Sequence, residues 1–70
     1  MNSPKPKYKL AKPGMLIRLT NQPEYEYIVV PDLRSEFGVS LYEITLGIYH
    51  RYFGCDLNDK HWTIICDSDD

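Results

Sequence analysis

Four residues of this sequence combine types and spacing that could do chemistry: His50, Cys55, His61 and Cys66. They are the two histidines and the two cysteines of the chain, in the pattern H-x4-C-x5-H-x4-C. Two thiolates and two imidazoles are a familiar tetrahedral zinc set. The spacing argues against that use here. His61 and Cys66 fall on a stretch rich in Trp, Thr and Ile that reads as a strand. Residues an odd number apart on a strand point to opposite faces, and these two would sit roughly 16 Å from each other. The short C-x2-C knuckle is also missing. The expectation is therefore no metal, no cofactor and free thiols. A Cys55–Cys66 disulfide is permitted by loop length, but no export signal accompanies it.

Nucleophilic catalysis by Cys55 would need an oriented base and an oxyanion site. No phosphate-cradling glycine loop or paired-carboxylate motif is present. A chain of this size rarely encloses the roughly 300 Å³ that small-molecule sites use. The expectation is a protein that is not an enzyme.

The elements around these residues come next. Seventy residues suggest one domain, taken as a complete small gene product. Residues 1–7 are read as a flexible tail, 8–66 as the domain, and 67–70 as an acidic tail. Pro13-Gly14 marks a turn, after which Met15 to Leu19 reads as a strand. Glu24 to Val30 is a second strand, closed by Pro31-Asp32, and His61 to Cys66 a third. Between them, Ser40-Leu41-Tyr42-Glu43 has the form of a capping box. Gly54 stands where a helix C-cap glycine would, and His50 and Arg51 suit a last helical turn. These signals predict a helix over 40–53. The predicted fold is α+β: a three-stranded antiparallel sheet, β-β-α-β in order 2-1-3, with one helix packed on one face.

On a helical wheel Leu41, Ile44, Ile48 and Tyr52 form one apolar cluster, expected to pack on the sheet. Tyr42, Leu46, Tyr49 and Phe53 form a second, which the sheet does not need. The sheet has a surplus too. Alternation places Leu16, Ile28, Val30 and Ile65 on the face opposite Ile17, Val29 and Ile64. Contiguous exposed apolar surface usually marks an interaction site.

Residues 33–44, Leu33-Arg34-Ser35-Glu36-Phe37-Gly38-Val39-Ser40-Leu41-Tyr42-Glu43-Ile44, resemble the core of a helix-turn-helix, with Gly38 as the turn glycine. The resemblance implies DNA binding through a helix beginning Leu41-Tyr42-Glu43. It departs from the pattern at Arg34 and at Gly47, and an acid near phosphates with no Arg or Asn is a poor reader of bases. A loop leading into a capped amphipathic helix is the preferred reading.

Charge is placed unevenly. Lys5, Lys7, Lys9, Lys12 and Arg18 precede any acid, while all ten acidic residues follow, for a net −2. No secretory leader and no apolar run of the roughly 20 residues needed to span a membrane is present. A cytoplasmic location without membrane association is expected. Six tyrosines offer amphipathic anchors of the sort that dominate binding hot spots.

The expected function is a small non-catalytic protein–protein interaction module, an inhibitor or adaptor docking on a larger protein, of the kind phages and mobile elements carry. Self-association is a further use of the same surface. The partner-binding residues expected are Tyr42, Leu46, Tyr49 and Phe53, with Glu24, Tyr25, Glu26 and Tyr27 as a second set. The alternative is a small nucleic-acid-binding or transcription-regulating protein. It would use Lys5, Lys7, Lys9, Lys12 and Arg18, with Tyr8 stacking on a base.

Overall fold

The computed structural model describes residues 8–67. Five strands run in order: β1 (Leu16–Leu19), β2 (Gln22–Pro31), β3 (Val39–Glu43), β4 (Ile48–Arg51) and β5 (Trp62–Cys66). They form one antiparallel sheet in the order β4-β3-β2-β1-β5. Among the described residues there is no helix.

The predicted α+β class is therefore corrected to all-β. Residues 40–53 form the β3–β4 hairpin instead of a helix, so the sheet has five strands where three were expected. The composition explains this. Val39, Ile44, Thr45 and Ile48 are β-branched, and Tyr42, Tyr49, Tyr52 and Phe53 are aromatic, all favoured on a pleated surface. Gly47 would cost a helix interior about 1 kcal/mol. In the hairpin it ends the four-residue loop Ile44–Gly47 at a φ of 70°, a conformation glycine adopts without strain.

The capping-box residues are present but used differently. Ser40 donates its hydroxyl to Asp32 Oδ2 at 2.6 Å. Glu43 reaches forward, not back: Oε2 accepts the Thr45 N–H at 3.0 Å and Oε1 the Leu46 N–H at 2.6 Å. The helix-turn-helix resemblance falls with the helix. Its first half is the β2–β3 loop, where Asp32 Oδ1 accepts the Arg34 N–H and the Asp32 N–H reaches the Gly38 carbonyl. Its second half is β3.

Strand alternation sorts the core. Ile17, Val29, Val39, Leu41 and Glu43 are buried on the inner face. Segments 8–15 and 52–61 close over this face. Tyr52 accepts the Ala11 N–H at 3.0 Å and donates to the Cys55 carbonyl at 2.6 Å, while the Leu57 N–H meets the Lys9 carbonyl. Met15, Tyr52, Leu57 and Ala11 complete the core, with Tyr27, Cys55, Trp62 and Ile64 packed against it. Of the wheel cluster expected to hold the fold, Leu41 and Tyr52 are buried, but Ile44 and Ile48 are exposed on the hairpin.

Candidate binding surface

The outer face is built around one transverse row. The ladder register sets Leu16 opposite Ile28, Ile28 opposite Tyr42, and Tyr42 opposite Tyr49. Residues opposite one another in antiparallel strands share a face, so four strands contribute one apolar side chain each. A register shift between Leu16 and Ile17 brings Cys66 opposite Leu16 at the β5 end. Tyr42 and Tyr49 finish the row at the other end, with ring centroids 4.8 Å apart. A second row, Val30–Ser40–Arg51, lies beside it.

Exposed large apolar side chains include Leu33, fully exposed in the β2–β3 loop, and a group on and just after the hairpin. Leu46 is 62% exposed, Tyr49 69% and Phe53 78%. β4 is an edge strand exposed along its whole length. Tyr42, Leu46, Tyr49 and Phe53 thus all belong to β3, β4, their turn and the residues just after it. Tyr42 and Tyr49 are in contact, Leu46 is in the turn, and Phe53 lines a concavity with Arg34 and Arg51.

The second expected set is divided. Tyr27 lies on the inner side, its ring edge-on to Trp62 at 5.8 Å and to His50 at 5.6 Å. Burial, with Glu43 and Tyr25 as lesser causes, raises its phenol above the ordinary tyrosine value. Glu26 is on the outer side opposite Arg18. The Glu24 and Glu26 carbonyls accept the Thr45 hydroxyl and the Ile44 N–H, tying β2 to the hairpin turn. Tyr25 is half-buried.

Of the basic residues of the nucleic-acid alternative, three are described, and Arg18 lies on β1 opposite Glu26. Lys5 and Lys7 lie outside the described residues. Lys9 pairs with Asp67 at 2.5 Å, and Tyr8 donates its hydroxyl to the Gly54 carbonyl. Lys12 is exposed, and its backbone N–H points to the Met15 sulfur.

His50, Cys55, His61 and Cys66 stay apart in role. His50 packs on Tyr27, and His61 Nδ1 lies 2.6 Å from Asp59 Oδ1. Both cysteines are free thiols, and burial pushes the Cys55 thiol above the ordinary value. Among the described residues no three His, Cys, Asp or Glu side chains are grouped to hold a metal ion.

The sequence reading did not single out the junction of the β2–β3 loop with β4. There Asp32, Arg34, Ser40, Tyr49 and Arg51 line an open concavity of about 380 Å³. Arg34 and Arg51 are seventeen positions apart, and only the β3–β4 hairpin brings them to one place. No family model, no curated protein and no solved structure matches this chain.

Proposed function

We propose that this protein is a small protein-binding module whose docking surface is the β3–β4 hairpin and its outer face. The observation that carries this reading is the edge strand β4, exposed throughout, with Tyr49 within it and exposed Leu46 and Phe53 on either side. Burying large apolar and aromatic side chains against a partner releases roughly 25 cal/mol per Å² of apolar surface. Ten large apolar side chains are exposed among the described residues, and five of them, Ile44, Leu46, Ile48, Tyr49 and Phe53, lie on or just after the hairpin, a surface suited to that use. Tyrosine adds a rigid apolar body with a polar tip, a form enriched in binding hot spots. Inhibitor or adaptor action on a larger protein is the function this supports.

The test is affinity capture from the source cell with the whole chain as bait, beside a Leu46→Ser/Tyr49→Ser variant. Both positions are exposed and outside the core, and Tyr49 gives up only its contact with Tyr42, so a folded variant is expected, which circular dichroism checks. The expected result is one protein retained by the wild type and lost with the variant. Equal retention by both, or retention of nothing, overturns the reading.

A further inference from the structure

We infer that the β4 edge takes up an extended, acidic segment of the partner protein as an added strand, with Arg34 and Arg51 holding its carboxylate. The inference rests on the protein-binding reading above and names the chemistry of the partner.

Three observations carry it. An edge strand presents unpaired backbone N–H and C=O groups along its outer side, and another extended chain can satisfy them in register. β4 is such an edge, and none of its four residues is covered. Next, the two sides of β4 differ. His50, on the inner side, meets the Tyr27 ring edge-on and also borders the larger concavity. Tyr49 and Arg51 share the outer side, which is open. Finally, Arg34 comes from the β2–β3 loop to line the same concavities as Arg51, one of about 380 Å³ and a neighbouring one of about 260 Å³. Among the described residues neither guanidinium has an ion-pair partner within bonding distance.

Asp32 lines the larger concavity, but its oxygens already accept the Ser40 hydroxyl and the Arg34 backbone N–H. Glu36 lines only the smaller one. Asp32 already interacts electrostatically with Arg34, and the two arginines against this one carboxylate leave the larger concavity with an excess of one positive charge. Guanidinium groups bind carboxylates through paired, charge-assisted hydrogen bonds.

Side chains of an added strand alternate, so those on the outer side sit two residues apart. One would meet Tyr49 and the other Arg51. In antiparallel addition, which continues the pairing of this sheet, the residue opposite Arg51 comes first, so the segment recognised reads acidic-x-apolar. A nucleic acid fits less well, because its backbone cannot match the hydrogen-bonding edge of a strand.

The test titrates the isotope-labelled whole chain with short synthetic peptides and follows backbone amides by NMR. One peptide carries aspartate and valine in the acidic-x-apolar order; its control carries lysine for aspartate. A single-stranded oligonucleotide is a third probe. The acidic peptide is expected to shift and protect the amides of Ile48–Arg51. Arg34→Ala should weaken it roughly tenfold, and Arg51→Glu by at least as much. Arg51→Glu should also transfer binding to the lysine peptide, a swap that unfolding would not produce. The inference is overturned if β4 amides do not respond, if the arginine variants bind as the wild type does, or if the oligonucleotide moves these amides and the peptide does not. It is equally overturned if sedimentation shows a second copy of the chain occupying the edge. Should the peptide fail while Leu46 and Tyr49 still govern capture of a partner, this inference falls and the protein-binding reading stands.

Discussion

Tyr42 and Tyr49 stand directly opposite each other across the β3–β4 ladder, their rings 4.8 Å apart and inclined at 56°. On a helix, residues seven apart also share a face, but about 10.5 Å of rise would separate them. The sequence spacing suits both arrangements, and only the hairpin puts the rings in contact. Cross-strand aromatic pairs contribute beyond their burial. A double-mutant cycle over Tyr42→Ala and Tyr49→Ala should therefore show a coupling of about 0.5–1 kcal/mol in denaturant unfolding. Strictly additive losses would mean that the rings do not touch.

Glu43 is buried, and its carboxylate holds two N–H groups of the turn that follows. Glu43→Ala leaves both without their acceptor. Hydrogen bonds to a charged group are worth about 1.5–3 kcal/mol, so a loss of about 2–3 kcal/mol is expected. Glu43→Gln keeps one acceptor oxygen and should fall between. The measurement is the urea midpoint, with hydrogen exchange at Thr45 and Leu46 as the local check. Unchanged exchange at those two amides in the alanine variant would contradict the proposed role.

Gly54 has a φ of 80°, and a Cβ placed there would lie 2.6 Å from the Phe37 ring. The Phe37 ring in turn meets Tyr52 edge-on at 5.6 Å. Gly54→Ala thus combines a backbone conformation that alanine resists with a clash against an aromatic ring. A loss of about 2 kcal/mol or more follows from left-handed strain and overpacking together. Gly38, also at positive φ, has nothing within 4 Å of such a Cβ, so Gly38→Ala should cost only the backbone share. Thermal unfolding of the two variants separates the contributions. Equal losses would show that the Phe37 contact is unimportant.

Asp32 joins the β2–β3 loop to β3. The Ser40 hydroxyl, followed by the Arg34 backbone N–H, holds its carboxyl below the ordinary aspartate value. A carboxyl depressed in the folded state stabilises that state above its unfolded value, and the contribution disappears as pH falls through the folded value. Acidification should accordingly loosen this loop. The carboxyl carbon of Asp32, followed by NMR, should titrate below a free aspartate, and Ser40→Ala should move the midpoint up. A midpoint at or above the ordinary value would remove the argument.

Local patterning was enough to read β1, β2 and β5. In each, alternation groups the residues of one face, and Ile17, Val29 and Ile64 do share a face, which the structure shows to be the inner one. Pro31 followed by Asp32 ended β2 as read, because proline donates no ladder hydrogen bond and aspartate binds the backbone ahead of it. The outer apolar residues Leu16, Ile28 and Val30 were also legible from alternation alone. Much of the candidate surface was legible as well, but for a mistaken reason: Tyr42 and Tyr49 share a face in either geometry.

What the sequence left undecided was the state of residues 39–53. Their apolar spacing fits a wheel and a pleat alike, and Ser40 with Glu43 satisfies a helix cap on paper. The choice is made by non-local pairing. With a helix there, the Tyr27–Pro31 side of β2 would be an open edge; with the hairpin, those residues pair with Val39–Glu43. That pairing also buries Val39, Leu41 and Glu43 and turns Ser40 to Asp32. The same step leaves β4 as the exposed edge and brings Arg51 to Arg34, a meeting of distant residues that no local pattern contains.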